Sequence, residues 1–107
     1  VTSLTNPQRV ERARQAKLAL DNFLAPAFEV VEIEYAEKMI NVAASTDPRA
    51  PEIIARLANG VKVARQVRTQ IEAMVSDGDD AQHMIDRAKR IEAMTPSQRR
   101  LLNIGVT

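Results

Sequence analysis

Between Pro51 and Ser76 the chain runs without an internal proline while its apolar residues keep a helical period. Ile53, Ile54, Leu57, Val61, Ala64, Val67, Ile71, Met74 and Val75 recur at spacings of three and four, which a helix turns to one broad face. At about 1.5 Å per residue the stretch predicts a helix roughly 38 Å long. No small chain can hide such a rod inside itself. Every other segment must therefore pack along it or lead to it.

Two residues interrupt the apolar face. Gly60 reads as a tolerated defect, since an interior glycine costs about 1 kcal/mol against alanine, or else as a point where a crossing helix comes close. Arg68 is expected to reach out from the edge of the stripe rather than to pair with an acidic residue of the preceding helix. Residues 55–70 (ARLANGVKVARQVRTQ) invite comparison with a helix-turn-helix. A turn at Gly60 would put Gln66 and charged residues at positions that must be buried, whereas one unbroken helix keeps Val61, Ala64, Val67 and Ile71 in phase. Asp77-Gly78 then reads as a helix stop, with Asp79 or Asp80 capping the next segment.

Before this stretch, Asn6-Pro7 reads as a helix start, and helix one is expected over 7–24, with Val10, Ala13, Ala16, Leu20, Phe23 and Leu24 on one face. Pro26 should break or kink the pattern. Helix two, over 28–44, differs in kind. Val31, Tyr35, Met39 and Val42 form one stripe, and Ile33, Ala36, Ile40 and Ala43 form a second beside it, which leaves mainly Glu34, Glu37 and Lys38 for a polar face. Such a helix touches more than one neighbour. Residues 45–51 (STDPRAP) read as the tight connection of an antiparallel helical hairpin with arms 28–44 and 51–76. A further helix is expected over 81–94, and Thr95-Pro96-Ser97-Gln98 matches a capping box that opens a last short helix over 97–104 carrying Leu101, Leu102 and Ile104. The expected fold is all-α, a single helical domain over 1–107 in which the hairpin carries an N-terminal helix and short C-terminal helices.

Composition narrows the class. Among 107 residues there is no tryptophan, and the aromatic residues are Phe23, Phe28 and Tyr35. Thin helical cores built from Ala, Val, Ile, Leu and Met bury little surface, so such a unit is expected to complete its core with further copies. Cysteine is absent, which removes disulfides and thiolate metal sites. No apolar run approaches the length of a membrane span and no signal-peptide pattern opens the chain, so a cytoplasmic location is expected. The 15 basic and 14 acidic residues leave a net charge of +1, so any contact with nucleic acid must come from a local patch.

Few residues suggest chemistry. Glu29, Glu32, Glu34 and Glu37 are the nearest approach to a carboxylate cluster, but helix-borne two-metal sites add Glu-x-x-His motifs, and the one histidine, His83, is remote in sequence. Asp77-Gly-Asp-Asp lacks the spacing of a calcium loop. With no phosphate loop and no nucleophile paired to a base, no catalytic residue, cofactor or metal is expected and the chain reads as non-enzymatic. Arg9, Arg12, Arg14 and Lys17 form one loose basic cluster, and Arg87, Lys89, Arg90, Arg99 and Arg100 form another. Neither is interleaved with aromatics for base stacking, so at most they hold phosphates by charge.

The order of an N-terminal helix, a proline break, a two-helix hairpin and a small C-terminal helical piece resembles, over residues 28–94, the oligomerisation cores of small terminase subunits from tailed phages and phage-like particles. The resemblance is one of layout, without a diagnostic motif and without an N-terminal helix-turn-helix. It implies a ring of copies that recognises genomic DNA and works with the large terminase motor. The expected self-association residues are Val31, Tyr35, Met39, Val42, Ile33, Ile40, Leu57, Val61 and Ile71, and the expected nucleic-acid residues are Arg9, Arg12, Arg14, Lys17, Arg87, Arg90, Arg99 and Arg100. The alternative is a helical adaptor or regulator that binds one partner protein through an apolar helix face.

Overall fold

A computed structural model describes residues 3–106, with side chains described through Leu101. Four helices account for nearly all of it, in the order α1 (Asn6–Ala19), a π-helical turn (Leu20–Leu24), α2 (Ala25–Ala43), α3 (Ala50–Ala93) and α4 (Pro96–Val106). Among the described residues there is no strand. The expectation of an all-helical chain with an N-terminal helix and long helices holds. Three of the expected boundaries do not.

The first correction concerns Pro26. The proline neither breaks the helix nor ends it, because the turn before it widens. A proline within a helix removes one donor and drives its ring against the carbonyl four residues back. Here residues 20–24 take π geometry, the amide of Ala25 donates to the carbonyl of Leu20, and one extra residue is absorbed just ahead of the ring. The helical path is thereby continuous from α1 into α2. The extra residue also shifts the phase: Leu20, Leu24 and Phe28 stay half-buried while Phe23, expected on the buried face, is exposed.

The second and third corrections are linked. Asp77-Gly78 is not a helix stop, and the separate helix expected over 81–94 is the continuation of α3, whose 44 residues run through both. Gly78 has helical geometry and is buried. A Cβ added to it would overlap the Cβ of Ala13 and stand 3.3 Å from the carbonyl oxygen of Arg9. Glycine is there because α1 crosses too closely for a side chain. Gly60 takes the closer of its two expected readings, since a Cβ there would stand 2.6 Å from Cε2 of Tyr35.

Helix starts follow local chemistry. Thr5, rather than Asn6, caps α1: its hydroxyl accepts from the amide of Gln8 at 3.3 Å and its amide donates to Oε1 of Gln8 at 2.9 Å. Thr95 and Gln98 repeat this box at α4, at 3.3 and 2.9 Å, as the motif predicts. Between α2 and α3 the Ser45 hydroxyl donates to the carbonyl of Val42 at 2.6 Å, and Oδ1 of Asp47 accepts from the amide of Arg49 at 2.8 Å. Leu102 and Ile104, expected on the last helix, have side chains outside the described residues.

Residues of α1 meet the later part of α3, Arg9 with Asp77 and Ala13 with Gly78, and residues of α2 meet its earlier part, Glu32 with Arg65 and Tyr35 with Gly60. The result is a rod measuring 78 × 30 × 23 Å with a radius of gyration of 23.1 Å, against about 13 Å for a globular chain of this length. The seam is thin. Ala13, Gly78 and Ala81 are its buried residues among those described, and no large side chain is fully buried.

Gly78→Ala should therefore destabilise the chain by about 1–3 kcal/mol, overlap with the Cβ of Ala13 outweighing the gain of about 1 kcal/mol in helix propensity. Gly60→Ala should be nearly neutral, because the half-exposed Tyr35 ring can move aside. Chemical denaturation of the two variants checks the contrast.

Candidate interaction surface

The structure sorts the expected residues of helix two into two opposite sets. Val31, Tyr35, Met39 and Val42 are half-buried on the side of α2 that meets α3, and Leu57, Val61 and Ile71 are half-buried on the facing side of α3. These seven lie in the seam within one chain. Ile33 and Ile40, at 60% and 68% exposure, lie on the other side of α2 together with Val30 at 51%. Val30 belongs to the same outer stripe at the spacing 30, 33, 37, 40, and the sequence reading missed it because Glu37 interrupts the apolar run. A second exposed set, Val63, Val67 and Met74, runs along one flank of α3.

The N-terminal basic cluster is mostly engaged. Arg9 grips Asp77 with both ends of its guanidinium, Nη2 to Oδ1 at 2.6 Å and Nε to Oδ2 at 2.9 Å, while Nη1 donates to Oδ1 of Asn6 at 2.9 Å. Arg12 adds a third bond to Asp77 at 3.0 Å. Asp77, expected as part of a turn and cap, is instead the carboxylate that ties α1 to α3. The hydrogen bond from Arg9 first, and that from Arg12 after it, hold its carboxyl below the ordinary aspartate range. Arg14 pairs with Glu11 one turn away at 2.6 Å. Lys17 is exposed on the same helix.

At the far end, Arg99 lies over the C-terminus of α3, where Nε donates to the carbonyl of Ile91 at 2.9 Å and Nη2 to that of Glu92 at 2.6 Å. It satisfies carbonyls that a helix end leaves without donors. Arg87, Arg90 and Arg100 are exposed and make no ion pair among the described residues. Arg87 and Arg90 border a shallow hollow with Ile91 and Met94, and Arg87 borders another with Met84, His83, Asp80 and Arg9.

The glutamates of α2 are likewise divided. Glu32 accepts from Nε of Arg65 at 2.8 Å, which lowers its pKa. Glu29, Glu34 and Glu37 are exposed without an ion pair among the described residues. Arg68 pairs with Glu72 in its own helix at 3.0 Å, not with α2. Among the described residues no three His, Asp or Glu side chains converge to hold a metal ion, and no helix is long and apolar enough to cross a membrane. What the surface offers is apolar side chains in rows with unpaired charge beside them. Such a surface can bind another macromolecule.

Comparison with protein-family models, curated proteins and solved structures finds no match.

Acid should loosen the attachment of α1. Because the folded pKa of Asp77 is depressed, its ion pairs contribute fully above the unfolded value near pH 4 and are lost as pH falls through the lower folded value. Glu32 and Glu11 are depressed as well, by Arg65 and Arg14, and act in the same direction. Thermal melting followed by circular dichroism should show a lower midpoint at about pH 3 than at pH 7. In Asp77→Asn that pH dependence should be reduced.

Proposed function

We propose that this chain is a non-enzymatic, self-associating helical protein, an antiparallel hairpin whose outer α2 face is covered by further copies. The observation that carries the reading is the outward row of Val30, Ile33 and Ile40 on a chain whose accessible surface is 8255 Å². A folded monomer of 11.9 kDa is expected to expose about 5,900 Å². The excess, roughly 2,300 Å², lies in the range that obligate subunit interfaces bury. The pairing of Glu32 with Arg65 and then of Tyr35 with Gly60 supports the antiparallel reading of the arms.

The resemblance to small terminase subunits gives this self-association a specific form, a ring that assists a large terminase. In that form DNA would be held through phosphates. Arg9, Arg12 and Arg14 spend their charge inside the chain, so the role would fall to Arg87, Arg90, Arg100 and Lys17, which are exposed. Multiplying such a patch around a ring would raise its avidity without any new contact.

Light scattering or native mass spectrometry at micromolar concentration should give an assembly, and Ile33→Asp should shift it toward the monomer while helical content is retained. A monomeric wild-type chain overturns the proposal and transfers the α2 face to a partner protein of another kind.

A further inference from the structure

Resting on that self-association, we infer that the outer row of α2 receives the C-terminal part of α3 from a second copy, in antiparallel register, with Glu37 of one copy against Arg87 of the other. The outer row of α2 is Val30, Ile33, Glu37, Ile40. Toward the C-terminal end of α3, Met84, which the Arg9 guanidinium touches at 3.9 Å, Arg87 and Ile91, with Met94 just past the last residue of the helix, form a row at the same spacing of three, four and three. Each row holds three apolar side chains and one charge of opposite sign. Met84 is 53% exposed, Ile91 and Met94 are half-buried, and Arg87 is exposed.

Only one relative direction satisfies both rows. Run antiparallel, Val30 meets Met94, Ile33 meets Ile91, Glu37 meets Arg87 and Ile40 meets Met84, so that apolar faces apolar and carboxylate faces guanidinium. Run parallel, Arg87 would meet Ile33 and Glu37 would meet Ile91, leaving both charges desolvated against hydrocarbon, which is costly. Matched spacing lets the side chains of the two helices interdigitate along their length. The single charge pair fixes the register, as one polar residue in an apolar helix seam does.

The contact cannot form within one chain. Tyr35 lies against Gly60, so Glu37 sits beside a part of α3 about 27 residues before Arg87, roughly 40 Å away along the helix. Glu37 and Arg87 also lack ion-pair partners of their own among the described residues. The contact joins two different surfaces of the same chain, so a bound pair still offers one free row of each kind, the α3 row of one copy and the α2 row of the other. That is the head-to-tail case, which closes into a ring or extends as a filament.

The test is charge exchange in the full chain, with Glu37→Arg, Arg87→Glu and the double variant compared with wild type by sedimentation velocity over a concentration series. Both side chains are exposed, so circular dichroism should show the helical content unchanged. Each single variant should raise the midpoint concentration of association about tenfold, and the double variant should recover most of that loss. Single variants that associate like wild type overturn the inference, as does a double variant no better than the singles; in either case the wild-type assembly, and with it the broader proposal, still stands. A wild-type monomer overturns both. If Arg87→Glu lowers retention of a 20-base-pair DNA duplex while leaving the mass unchanged, Arg87 serves phosphate and the inference is likewise overturned.

Discussion

Where Ala13 meets Gly78, two helices approach with nothing larger than a methyl group between them, and Ala81 one turn further on is fully covered. A contact this close cannot be had with leucines, and it yields little apolar burial for each turn engaged. Its benefit is proximity. With the backbones close, the guanidinium of Arg9 reaches Asp77 with two nitrogens and Arg12 reaches it with a third. Without that approach α1 would have no fixed place on α3, and the half of α3 beyond Ser76 would have no neighbour to cover Gly78.

The seam changes character along its length. Toward the connecting turn, α2 and α3 meet through Val31, Tyr35, Met39, Leu57 and Val61, half-buried side chains of ordinary size. Toward the other end it narrows to alanine and glycine with charge beside it. Neither half builds a layer thick enough to enclose a large side chain. Two helical arms side by side bury one stripe each, and a chain that folds into only two arms leaves most of each helix wet. The second apolar row on α2 is thus a feature that the seam cannot use.

How much of this was legible in the sequence follows from one criterion applied unevenly. Phase kept α3 intact through Gly60 because Val61, Ala64 and Val67 continue the pattern, and the same test at Gly78 would have found Val75, Ala81 and Ile85 continuing it too. The Asp-Gly pair by itself signals a local stop. Local C-cap chemistry loses to tertiary contact when a neighbouring helix covers the glycine, and Ala13 is a covering that spacing alone does not reveal. The π turn left no trace in the spacing: Leu20, Leu24 and Phe28 are separated by four and four, the spacing of any regular helical face. In α2 both stripes were evident, but which of them faces α3 depends on the phase inherited from α1, and no window within 28–44 contains that information.

That inheritance gives Pro26 its structural weight. Each residue advances a helix by about 100°, so the one residue absorbed at 20–24 rotates everything after it by about that amount relative to α1. With the insertion, Phe28, Val31, Tyr35 and Met39 turn toward α3 and Val30, Ile33, Glu37 and Ile40 turn away. A proline that would ordinarily end a helix is tolerated here because the turn ahead of it has widened, and the same widening determines which residues of α2 the chain presents to its surroundings.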